Sequence, residues 1–172
     1  ALTLTFFLLP LISLAQISSG GIPPGFVQTN MDNQVITYQI SAPDTEQLLK
    51  EDRQAGKFGV AERIGVLLPL NVSPQNHKNW KILPDGTRQW RVRISSDGAK
   101  ALGLYYRDFY LPPGCSLFVY DVSRTRLLGS YTSKNNHESR LFANEQVPGD
   151  ELIVELLVSP HATEQPDLLI TE

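Results

Sequence analysis

A single cysteine among 172 residues means that no internal disulfide can form, so stability must come from packing. No block of Lys and Arg occurs, and with a formal net charge of -3 and a pI near 5.6 there is no electrostatic reason to expect a nucleic acid or an anionic membrane as partner. No G-x-S-x-G elbow is present, which removes serine hydrolases of the α/β type. A zinc-hydrolase HExxH begins at His137-Glu138 and fails at Leu141. The three histidines, His77, His137 and His161, are far apart and have no Cys or carboxylate at ligand spacing, so neither a metal nor a cofactor is expected. Internal repeats and low-complexity blocks are also absent.

The first fifteen residues, ALTLTFFLLPLISLA, carry no charge and end in the small-residue pattern Ser13-Leu14-Ala15. This stretch is too short for a spanning helix, which needs about 20 residues, and Pro10 interrupts it. The expectation is a partial signal peptide cleaved before Gln16, hence a secreted or cell-surface protein with no membrane attachment after signal removal. Residues 16–33, containing SSGGIPPGF, should form an extended arm, because its glycines and prolines sustain neither a helix nor a central strand.

With 41% apolar residues, the chain of 172 is long enough for one domain with a substantial core, expected over 34–160, with 161–172 as a linker toward a further domain. QVITYQI at 34–40 alternates like a half-buried strand. One short helix is expected near 44–55, with Asp44 able to cap it and Gly56 placed to stop it. From Ile64 onward short strands recur with turn residues between them, beginning with the apolar run IGVLLPL at 64–70. Pro84-Asp85-Gly86 should join 79–83 and 87–95 as a hairpin. In its second strand Trp90, Val92 and Ile94 face one way and Arg91 and Arg93 the other, the pattern of a sheet with one wet face. The fold class expected is all-β, an antiparallel β-sandwich of jelly-roll type, since crossover helices for a parallel α/β fold are missing.

Two features invite a chemical reading. Cys115 follows Pro112-Pro113-Gly114, where a nucleophile at a turn competes with a small buried side chain. Leu117 and Val119 share its face of the strand, which favours a structural thiol. Trp80, Trp90, Tyr105, Tyr106, Phe109, Tyr110, Phe118 and Tyr120 cluster in the strand-rich centre. Exposed, they could stack on sugars, but alternation assigns most of them to the core. The candidate binding surface is Trp80, Arg91, Arg93 and Tyr110, with a polysaccharide or cell-surface partner as the alternative function.

The ordered segments GGIPPGF (20–26), DGTRQWRVRISSDGAKALGLYYRDFYLPPGCSLFVYD (85–121) and GDELIVELLVSP (149–160) resemble the amino-terminal region of secreted bacterial serine proteases of the lysyl endopeptidase type. The matching positions are Gly20, Gly21 and Pro23; Asp85, Gly86, Trp90 and Ile94; Ser96, Gly98 and Ala99; Leu111, Pro112 and Gly114; and Gly149 and Asp150. The resemblance implies a noncatalytic propeptide or accessory domain preceding a trypsin-like catalytic domain, which would be its partner. It carries no catalytic residue onto this chain. That family often has Ala or another small residue where this chain has Cys115.

Overall fold

A computed structural model describes residues 17–28, 35–61, 63–76 and 79–172. The expected signal peptide with its cleavage point, the later part of the arm, Gln34 and His77 lie outside the described residues.

The fold is mostly β. The largest sheet has the order β1 (Ile36–Ile40), β3 (Arg88–Ser96), β10 (Glu151–Val158), β6 (Cys115–Asp121) and β7 (Leu127–Tyr131), and β2 (Lys81–Ile82) also pairs with β3. β2 and β3 are the expected hairpin. Gly86 takes φ +83° at its turn, and the Asp85 carboxylate accepts from the Thr87 amide and hydroxyl at 3.0 and 2.9 Å. A second sheet has the order β11 (Asp167–Ile170), β5 (Tyr105–Tyr110) and β8 (Phe142–Ala143), and a small ribbon joins β4 (Ala101–Leu102) to β9 (Val147–Pro148).

Strand alternation sends Trp90, Val92 and Ile94 of β3, Leu152, Val154 and Leu156 of β10, and Leu117 and Val119 of β6 to one face of the large sheet. There they join Tyr106, Phe109, Leu111, Leu168 and Ile170 from the second sheet and its flank in one core. A separate, smaller cluster of Phe118, Tyr120 and Ile153 occupies the opposite face and is packed by Phe26 of the arm. The large sheet is therefore buried on both faces near its centre.

Four expectations are corrected. β1 pairs with β3 in parallel, Ile36 with Val92 through Ile40 with Ser96, so the large sheet is mixed. A parallel pair needs a long crossover, and the helix α2 (Thr45–Gly56) with the stretch to residue 80 supplies it. Within the arm, Pro24–Val27 forms a single helical turn, α1, with Pro24 at the first helical position where its missing N–H costs nothing. The apolar run 64–70 is not a strand: Ile64 is 96% exposed, and regular pairing begins only where Leu70 and Val72 bond to Thr171 and Ile170. Finally, 161–172 is no linker, because β11 lies inside it with Leu168 and Ile170 fully buried.

α2 forms where expected. Asp44 caps it, accepting from the Gln47 amide at 3.0 Å. None of its residues is buried, and no described helix is long and apolar enough to cross a membrane. Phe58, Val60, Ile64 and Leu67 beyond it are exposed, and among the described residues of that stretch none lies in a strand or helix. Limited tryptic digestion should therefore cut first after Lys57 or Arg63, at least tenfold faster than in β3. Mass mapping of the earliest fragments checks this; a first cut at Arg91 or Arg93 would contradict the burial of β3.

Candidate functional site

β3 and β10 pair in antiparallel register with Arg91 directly opposite Glu155, and β10 and β6 pair with Glu155 opposite Phe118. Period-two alternation therefore places Gln89, Arg91, Ile153, Glu155, Phe118 and Tyr120 on the face turned away from the main core. In the centre of that face Glu155 is 0% exposed and Arg91 only 6%.

A carboxylate removed from water needs partners at both oxygens. Oε1 accepts from Gln89 Nε2 at 2.7 Å and from the Gly25 amide at 3.1 Å. Oε2 accepts from the Tyr120 hydroxyl at 2.7 Å and lies 3.6 Å from Arg91 Nε. Three strands and the arm thus converge on one side chain. Burial, followed by the charge of Glu155, pushes the Tyr120 phenol far above its ordinary range, so it remains a proton donor to the carboxylate.

The arm closes this cluster from above. Gly25 donates its N–H to Glu155, and its carbonyl accepts from Arg124 Nη2 at 3.3 Å. A Cβ at Gly25 would stand 2.3 Å from Glu155 Oε2 and 2.6 Å from Arg91 Nε, so only glycine permits this approach. Phe26 meets Tyr120 edge-on with ring centroids 5.3 Å apart.

The expectation of a wet β3 face is overturned at Arg91, because the arm covers it. Arg93, further along, is half-buried and pairs with Glu151 at 3.5 Å. Trp80 packs against the main core, gives its indole N–H to the Pro74 carbonyl at 3.0 Å, and carries the Arg88 guanidinium 4.8 Å from its ring centroid. Tyr110 belongs to the second sheet, where its hydroxyl donates to Glu164 at 2.9 Å and Arg140 stands 5.8 Å from its ring. Of the four candidates, only Arg91 and Arg93 share the outer face of β3.

Sequence reasoning missed Glu155, Gln89, Tyr120 and Gly25 as one cluster. The available signal was a lone acid inside the apolar strand ELIVELLV, which calls for a cationic partner on a neighbouring strand.

Cys115 is 2% exposed in the main core, facing the same way as Leu117 and Val119. Burial pushes its thiol up to about 11, opposed in part by Arg88. The thiolate is thus disfavoured relative to an ordinary cysteine, the reverse of an activated nucleophile. Among the described residues no group of three or more His, Cys, Asp or Glu could hold a metal ion. No family model matches the chain, and no solved structure matches it.

Glu155→Ala should destabilise the domain by about 3–5 kcal/mol in urea unfolding, because Arg91 is left buried without its carboxylate. Replacing both charges, Arg91→Met with Glu155→Leu, should recover at least half of that loss; a double variant no more stable than Glu155→Ala would show that the pair is not the source. A second expectation concerns alkaline pH. Cys115 and Tyr131 rise from 9.0 to about 11 and from 10.0 to about 12, both chiefly through burial. A raised folded-state value contributes stability that is complete below the unfolded value and lost as pH climbs through the folded one. Melting temperature should therefore fall between pH 9 and 12, and Cys115→Ala should flatten the part between 9 and 11; an unchanged profile in that variant would exclude the thiol as a cause.

Proposed function

We propose that this chain is a noncatalytic amino-terminal propeptide or accessory domain of a secreted bacterial trypsin-like serine endopeptidase, assisting the folding of the catalytic domain or covering its active site. The observation that carries the reading is the structural coherence of the residues on which the resemblance rests. Gly20, Gly21, Gly86, Gly98, Gly114 and Gly149 all take φ between +71° and +105°, a region that other residues rarely adopt. Trp90, Ile94 and Leu111 are fully buried. Motif segments remote in sequence also meet: the Ser96 amide donates to the Asp150 carbonyl at 2.9 Å, and the Gly149 amide to the Lys100 carbonyl at 2.9 Å. Positions that resemble the family thus belong to one set of turns and one core.

In this reading the two main sheets form a β-sandwich of jelly-roll type. Support comes from their shared core and from β10 lying between β3 and β6, far from either in sequence. The catalytic work belongs to the downstream domain, consistent with a buried thiol whose proton is held tightly. The polysaccharide alternative has less behind it, since Arg91 lies under the arm and the rings of Trp80 and Tyr110 each have a guanidinium beside them.

The test is to refold the downstream endopeptidase domain from denaturant with and without this chain, then to titrate the chain into the active enzyme. At least a tenfold rise in recovered activity, or stoichiometric inhibition, is expected. Equal yield together with equal activity would refute both the folding and the covering roles.

A further inference from the structure

We infer that the outer face of β3, β10 and β6, with the adjoining edge of β7, is a peptide-binding site that residues 17–28 of this chain occupy in cis, and that it selects a Gly/Pro-rich segment with glycine over Glu155 followed by an aromatic ring. The inference does not depend on the proposed partner enzyme.

The contacts are those of peptide recognition, in which main-chain bonds supply affinity and side-chain pockets supply selectivity. At the β7 edge the Ser19 amide donates to the Ser130 carbonyl at 3.0 Å, and the Ser130 amide and hydroxyl donate to the Gly20 carbonyl at 3.2 and 2.8 Å. Asn135 Nδ2 holds the Ile17 carbonyl at 2.9 Å, and the Ser18 hydroxyl donates to the Gly129 carbonyl. Past the edge the segment turns over the sheet, where Pro23 and Gly25 are buried and Phe26 rests on Tyr120. Both polar groups of the Gly25 peptide backbone are read, the N–H by a buried carboxylate and the C=O by Arg124. The selection for glycine is steric, because the place of a Cβ is already taken by Glu155 and Arg91.

Its separability comes from the two hydrophobic clusters. The residues under the arm, Phe118, Tyr120 and Ile153, form a cluster distinct from the main core, and the main core draws no residue from 17–28. The arm therefore sits on a framework whose principal packing does not include it. While it is covalently attached, its effective concentration is on the order of millimolar, enough to exclude a competing peptide of ordinary affinity.

To test this, a specific protease site is inserted between Gln28 and Val35 of the full chain, the protein is cut after folding, and a fluorescent synthetic peptide of residues 17–28 is added. The cut protein should keep its circular dichroism spectrum and bind the labelled peptide saturably by anisotropy, whereas the uncut chain binds at least a hundredfold more weakly. Unlabelled peptides carrying Gly25→Ala or Phe26→Ala should compete at least tenfold less well than the native sequence. Loss of folded structure on cutting would overturn the inference by showing that the arm is part of the framework. So would a folded, cut protein that takes up no peptide after its own arm has washed out, or equal competition by the Gly25→Ala peptide.

Discussion

Glu155 is the constraint around which the outer half of this fold is arranged. A carboxylate with no water contact requires compensation from every side, and here the donors come from β3, from β6 and from the main chain of the arm. Each donor fixes something else. Arg91 opposite Glu155 fixes the register of β3 on β10, since a slip of β3 by one residue would send Arg91 into the apolar core and leave Glu155 without it. Tyr120 couples β6 to the same centre, and Gly25 binds a segment 130 residues away in sequence to the middle of the sheet.

The same constraint accounts for what could and could not be read in advance. The hairpin at Pro84-Asp85-Gly86, the cap at Asp44 and the apolar side of Cys115 are local: each depends on residues a few positions apart, so the pattern carries the answer. Trp90 was assignable to the main core from its alternation with Val92 and Ile94, and it is buried there. Arg91 was not. Alternation says that a side chain points away from one core, and it does not say whether a remote segment covers the other face. The parallel partner of β1, the role of Gly25 and the place of β11 share that character, because each is fixed by a pairing distant in sequence. IGVLLPL failed differently: its apolar composition suggests a strand, yet Ile64 to Leu67 find no neighbouring strand and stay exposed.

Two kinds of glycine emerge. Those at 20, 21, 86, 98, 114 and 149 serve backbone conformation, all with positive φ. Gly25 serves space alone, since its conformation is ordinary and only the missing side chain matters. A motif such as GGIPPGF thus mixes both demands within seven residues: the first two glycines turn the chain at the sheet edge, and the third lets it approach a buried charge. The propeptide reading and the arm-docking site draw on the same segment for different reasons, one through resemblance and the other through contact geometry.

β11 sits between two neighbours that both run against it: β5 on one side, and on the other Leu70 and Val72, whose amides reach the Thr171 and Ile170 carbonyls at 2.7 and 3.1 Å. Tension applied at Glu172 along the strand axis would load these bonds in parallel and shear them, where a strand on an open edge pulled sideways would unzip bond by bond. Load along this strand is therefore shared by bonds on both of its sides, and the second sheet is tied to the 70–72 segment at the same place.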